Sequence, residues 1–254
     1  MADTSDTNAF DLESIDDPRV SAAHTRTVPG TDDTGSLTLL GIVHDHPASI
    51  YRVQHVVQTL TPDVVALELA PLAVPLFEQY AGESEIPPSR GGEMSAAIQA
   101  MGPDARAVGI DAPTGSFLRT VVAELRDRDA AMLTARRVLS DVADLSRHAV
   151  QCRLAAVMGP AGLVSMDDTV PEMAHDCSHE DPPAVQADDE ERLISRNRAL
   201  RGATKTPLPI SLLDTAREKT MARRLDQLRE SGDVVAVVGL EHLDAVTDRV
   251  DTGH

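Results

Sequence analysis

Apolar residues in this chain collect into short unbroken runs, and longer stretches with helical spacing lie between them. The runs are Leu37 to Val43, Val64 to Leu69, Arg106 to Asp111 and Val234 to Gly239. They are continuous rather than alternating, which predicts strands buried on both faces, as in a parallel sheet. After the first run, Pro47 can open a helix, and Ile50, Val53, Val57 and Leu60 recur on one face before Thr61-Pro62-Asp63 closes it. Strand, helix and strand in so few residues predict a right-handed βαβ unit. A further helix begins near Glu93-Met94 and breaks at Gly102-Pro103. From Ser116 to about Met158 the pattern is helical, and another helix runs from Asp214 to Arg229 until Ser231-Gly232 stops it.

These elements predict an α/β fold: a small, mostly parallel central sheet flanked by helices, with a helical insertion over about 116–213 before the last strand. Residues 1–35, rich in Asp, Ser, Thr and Pro, read as a disordered acidic leader, and 36–254 as one domain. Residues 167 to about 190, with their Pro, Asp and Glu, read as an acidic surface loop.

A formal charge of -18 over 254 residues argues against a nucleic-acid binder and disfavours anionic membranes. Lys205 and Lys219 are the only lysines and aromatics make up 2%, a composition expected of a high-salt cytoplasm, where an acidic surface stays hydrated. Cys152 and Cys177 are too few for a disulfide framework, so a reducing, cytoplasmic setting is expected. No run is long enough to span a bilayer and no signal peptide is evident. The helical insertion offers surface for a homodimer, although no heptad seam specifies one.

Two of the runs end in Gly-x-x-His, Gly41-Ile42-Val43-His44 and Gly239-Leu240-Glu241-His242. On neighbouring parallel strands both imidazoles would meet at the carboxyl edge of the sheet, where open α/β sheets bind ligands, and each could serve as metal ligand or general acid/base. A lone Gly-x-x-His is more often a strand cap, but its recurrence favours a site. Glu68 closes an otherwise apolar run and, if buried, needs a metal, an arginine or a proton. With His44 and His242 it would form a mixed N/O set with open positions, suited to Zn²⁺, Mn²⁺ or Co²⁺; as a general base it would instead take a proton from water. Glu93 opens a helix, where the dipole alone favours an acid, and Asp111 could cap the helix after Pro113; both would also lie at the same sheet edge. Arg217 could pair with Glu68 or Asp111, polarise a substrate carbonyl, or form a surface pair with Asp214 or Glu218.

His46 could assist a metal or be an ordinary loop residue, and His175-Asp176-Cys177-Ser178-His179 matches no standard zinc spacing. Cys152 lies in a helical pattern and reads as a small buried hydrophobe. Neither a Gly-x-Ser-x-Gly elbow nor a Walker loop is present.

The ordered set Gly41-Ile42-Val43-His44, Pro62-Asp63-Val64-Val65-Ala66-Leu67-Glu68-Leu69, Gly92-Glu93-Met94, Gly109-Ile110-Asp111-Ala112-Pro113, Ala216-Arg217-Glu218 and Val237-Val238-Gly239-Leu240-Glu241-His242 resembles the TraB/PrgY family of the TIKI/TraB/GumN superfamily. Ala70-Pro71-Leu72 stands where that family often has an arginine, and Ala112 replaces another. The resemblance implies a metal-dependent hydrolase acting on peptides, with His44, Glu68 and His242 on a divalent ion and Glu93, Asp111 and Arg217 as catalytic partners. It leaves as alternative a non-catalytic module that binds a peptide pheromone.

Overall fold

The computed structural model describes residues 15–159, 175–203 and 206–251. Five strands form one sheet in the order β1-β2-β5-β3-β4: β1 (Thr25–Val28), β2 (Leu37–Ile42), β3 (Val64–Leu67), β4 (Arg106–Gly109) and β5 (Val234–Gly239). β2, β5, β3 and β4 are mutually parallel, and β1 is antiparallel to β2. Eight helices accompany them among the described residues: α1 (Pro47–Leu60), α2 (Val74–Ala81), α3 (Gly92–Ala100), α4 (Gly115–Asp127), α5 (Met132–Met158), α6 (Pro183–Ala203), α7 (Leu208–Arg229) and α8 (Leu240–Asp251). No helix among the described residues is long and apolar enough to cross a membrane.

The continuous apolar runs are explained by the layering. Leu40, Ile42, Val65, Leu67, Val235 and Val237 face α1, α2, α3 and α5, while Leu37, Leu39, Val64, Ala66, Val234, Ala236 and Val238 face α7 and α8. Every residue of β2, β3 and β5 is buried, so alternation of side chains across the pleat yields no polar face. A third apolar cluster joins α4, α5 and α7 through Phe117, Val121, Val138, Val142, Leu212 and Ala216. Helices α4 to α7 thus form the insertion between β4 and β5 expected from the sequence.

Several elements depart from the sequence reading. Thr25–Val28, expected in a disordered leader, forms β1 along the outer edge of β2, with Val28 opposite Leu37. Its Thr-Arg-Thr-Val composition carries no apolar run because only Thr25 and Val28 are buried. Residues 183–190, expected in a loop, open α6, whose inward face carries buried Gln186, Asp189 and Glu190 instead of apolar residues. The rest of that expected loop up to residue 174 lies outside the described residues. The last strand passes directly into a helix, so His242 stands in the first turn of α8 rather than in a loop beyond the strand.

Registry brings the strand ends level. Ile42 pairs with Gly239, Leu67 with Val237 and Leu67 with Gly109. β5 is inserted between β2 and β3, so the segments after β2, β5, β3 and β4 converge on one edge, the kind of crevice where α/β sheets place ligands.

Candidate active site at the carboxyl edge of the sheet

His44 lies two residues beyond β2, in the turn that leads into α1. Its Nδ1 is 2.7 Å from Glu93 Oε1, and Glu93 Oε2 accepts the Asp45 amide at 2.9 Å. Glu93 is the second residue of α3 and is buried, so the helix dipole and the two donors stabilise its charge together. Close approach at this turn explains Gly92: its φ is +48°, and a Cβ there would lie 2.2 Å from Asp45 Oδ1. The hydrogen bond that His44 donates to Glu93 raises the His44 pKa from 6.5 to about 9, against the opposing effect of burial. His44 is therefore an imidazolium at neutral pH.

A second network centres on Arg217, which reaches the edge from the middle of α7. Its Nε donates to Asp111 Oδ1 at 2.9 Å, and its Nη2 donates to Asp111 Oδ2 at 2.6 Å and to Glu68 Oε1 at 2.5 Å. The Gly239 amide donates to Glu68 Oε2 at 2.5 Å. Glu68 thus finds an arginine and a backbone amide, which resolves why a carboxylate can close an apolar strand. Burial opposes the charge on Arg217, but Asp111 and Glu68 outweigh it and hold the guanidinium charged. Asp111 does not cap the following helix: Thr114 does, accepting the Phe117 amide at 3.1 Å.

His242 is buried behind this pair. Its Nε2 is 3.3 Å from Arg217 Nη1 and 3.8 Å from Glu68 Oε1, and its Nδ1 is 3.2 Å from Glu218 Oε1. Because a guanidinium can only donate, the neutral ring accepts from Arg217 at Nε2 and donates from Nδ1 to Glu218. Burial disfavours a second proton, but Glu218 and Glu68 outweigh it and raise the pKa above its ordinary value.

His44, Glu68, Glu93 and Asp111 line one wall of a cavity of about 350 Å³, and Phe77, Met94 and Leu145 contribute to its apolar side. His44 also borders a smaller cavity of about 240 Å³ toward α6, with Asn197, Arg198 and Arg201 on its wall. A larger hollow of about 470 Å³ runs along the free edge of β4 and contains none of these imidazoles or carboxylates. Four of the six residues singled out in the sequence therefore share one cavity, and Arg217 and His242 support it from behind.

Among the described residues, the expected metal set of His44, Glu68 and His242 is not one whose donor atoms all lie within 4.8 Å of one another. Arg217 contacts both Glu68 and His242, whose Oε1 and Nε2 are 3.8 Å apart, and His44 Nδ1 is engaged by Glu93. Among the described residues the group that could hold a metal ion is a different one: His46, Cys177 and Asp189, with donor atoms within 4.8 Å of one another. His46 is the N-cap of α1, Asp189 belongs to the buried polar face of α6, and Cys177 precedes that helix. Beside them Arg52, fully buried, pairs with Glu190, donates to Gly41 O at 3.0 Å and thereby ties α6 to the end of β2. The sequence offered His46 and the segment around Cys177 as separate, weak metal candidates but did not join them to Asp189, because His46 lies 131 and 143 residues from the other two and Asp189 and Glu190 look like surface acids on a polar segment. No known protein family, curated protein or solved structure matches this chain in sequence or fold.

Proposed function

We propose that this chain is a TraB-like hydrolase that cleaves an amide bond of a peptide or small peptide-like substrate in the cavity at the carboxyl edge of the sheet. The observation that carries the reading is the convergence of His44, Glu68, Glu93 and Asp111 on one cavity, with a charged imidazole and carboxylates lining a space suited to a small substrate. In this reading Glu68 orients the attacking water with a lone pair not used by Arg217 or Gly239, and takes its proton. The imidazolium of His44, held in place by Glu93, stabilises the developing oxyanion and then protonates the departing amine. Water adds to the carbonyl carbon, the C–N bond breaks, and the proton on Glu68 returns His44 to its charged form. Arg217 and Asp111 fix Glu68 and balance its charge, and His242 positions Arg217.

No step passes through a metal, because the edge residues do not form a donor set for one. A His/Cys/carboxylate set such as His46, Cys177 and Asp189 favours Zn²⁺ or Co²⁺ over Mn²⁺, since thiolate is a soft ligand. The acidic composition and the two free thiols support a place in a high-salt cytoplasm, with the chain acting alone or as a homodimer. One observation favours a binding module instead: both oxygens of Glu68 already accept hydrogen bonds.

The test is hydrolysis of a fluorogenic peptide library at high salt by the wild-type chain, Glu68→Gln and His44→Ala. Cleavage lost in both variants supports the enzyme. Retention of a peptide without turnover by the wild type supports the binding module.

A further inference from the structure

We propose that His46, Cys177 and Asp189 bind a structural zinc-class ion, with the neighbouring His175 drawn in as the fourth ligand, and that this ion clamps the start of α6 onto the loop carrying His44.

The two spacings from His46 match the edges of a tetrahedral site, and the third donor pair lies within 4.8 Å. His46 Nε2 is 3.6 Å from Cys177 Sγ and 3.4 Å from Asp189 Oδ2. Zinc bond lengths of ~2.05 Å to nitrogen, ~2.3 Å to sulfur and ~2.1 Å to oxygen give tetrahedral edges of about 3.5 Å for N to S and about 3.4 Å for N to O. The donors come from three separate segments, and both His46 and Asp189 are almost wholly buried, which is the setting of a closed structural site rather than an open catalytic one.

His175 supplies an independent observation. Its ring packs edge-on against His46 at 4.8 Å between centroids, and its Nε2 is 2.8 Å from the carbonyl oxygen of His44. A carbonyl only accepts, so Nε2 carries the proton and Nδ1 keeps its lone pair. That Nδ1 is buried without a hydrogen-bond partner. Donation of the other N–H to a backbone carbonyl is the usual outer arrangement of a zinc-ligating imidazole, and here the carbonyl belongs to His44; His175 stands outside the three donors that lie within 4.8 Å of one another and moves toward the ion to take the fourth position. Asp189 is likewise oriented from outside, by Arg192 on Oδ1 at 3.1 Å.

Without an ion, His46 Nδ1 accepts the Ala48 amide at 3.2 Å as the N-cap of α1. Coordination at Nε2 moves the ring proton to Nδ1 and releases that cap, a loss small beside the contribution of a structural zinc. This site is separate from the amide-hydrolysis reading, and its test uses no substrate.

The full chain, purified without a histidine tag at high salt, is stripped with a chelator, reloaded with Zn²⁺ and assayed for metal by mass spectrometry, then reloaded with Co²⁺ for absorption spectra. The expected result is about one ion per chain, with a thiolate-to-cobalt charge-transfer band of a tetrahedral centre. The band is lost in Cys177→Ser and His46→Ala, and it persists in Cys152→Ala and His242→Ala. Failure of the wild type to bind either metal overturns the proposal without reference to how the variants fold. So does a bound ion whose spectrum shows no thiolate, or one that survives Cys177→Ser.

Discussion

Replacing Arg217 by leucine removes the one cation between two buried carboxylates. In the folded protein Asp111 receives donors from both Nε and Nη2, and Glu68 receives one from Nη2. The arginine side chain is 22% exposed and the two carboxylates 9% and 5%, so water cannot replace what it supplies. Breaking a buried pair from one side costs ~3–5 kcal/mol, because the remaining charge is left uncompensated. For a chain of this size that lowers Tm by roughly 10 °C. With Arg217 gone, Glu68 and Asp111 are left as neighbouring buried carboxylates without their shared donor, and neutralising both removes their repulsion. The deficit of Arg217→Leu is therefore largely recovered at pH 7 by adding Glu68→Gln and Asp111→Asn. Urea unfolding of the three proteins at pH 7 and fixed high salt measures it. A deficit below about 1 kcal/mol, in the range of an exposed pair, or one that the two amide substitutions do not reduce, refutes the reasoning.

His44 should titrate near its raised value of about 9, and Glu93→Gln should lower that midpoint by more than a unit, as followed by nuclear magnetic resonance of the imidazole. Its stabilising contribution is complete below 6.5 and fades as pH rises through about 9. With the imidazole 47% exposed, that contribution is held to about 1 kcal/mol or less. Arg52→Met removes the donors to Gly41 O and Arg19 O and leaves buried Glu190 without its arginine, with Ser49 still donating to it, so thermal unfolding should show a loss of ~3–5 kcal/mol; a change within experimental error rejects the pairing. Gly109→Ala should cost ~1–3 kcal/mol, because its Cβ meets backbone: Leu69 O lies at 2.6 Å and Pro71 at 2.9 Å. Gly239→Ala, whose Cβ finds ordinary contacts at 3.4 Å, should stay within about 0.5 kcal/mol, and equal losses in denaturant melts would overturn the comparison.

What could be read from the sequence was set by burial. Runs enclosed on both faces have nothing polar in them, so β2, β3 and β5 stand out, and a carboxylate at the end of such a run, Glu68, announces a buried partner. The helix α2 escaped notice because Pro71 and Pro75 look like breakers, yet Pro75 sits in its first turn, where no amide donor is needed. α6 escaped for the opposite reason: its buried residues Gln186, Asp189 and Glu190 are polar, so their spacing of i, i+3 and i+4 leaves no apolar period to detect. Which partner Glu68 takes could not be read, since a metal, an arginine and a proton satisfy a buried carboxylate equally well on paper.

The two Gly-x-x-His sequences show how far a motif underdetermines geometry. Both follow the last strand residues of neighbouring strands, Gly41-Ile42 on β2 and Gly239 on β5. At the first, the chain leaves the sheet through a turn with Asp45 at a φ of 56°, so His44 reaches the cavity and finds Glu93. At the second, helix α8 begins at once, and the helical twist turns His242 behind the sheet edge onto Arg217 and Glu218. One imidazole therefore lines the cavity and the other holds an arginine. With its guanidinium on Glu68 and Asp111 and the His44 imidazolium on Glu93, the edge already carries fixed positive charge against its carboxylates. At His46, Cys177 and Asp189, Arg192 engages the outer oxygen of Asp189 and leaves Oδ2 toward His46. The fixed arginine thus lies under the cavity, and the converging His, Cys and Asp donors lie apart from it, beside α6.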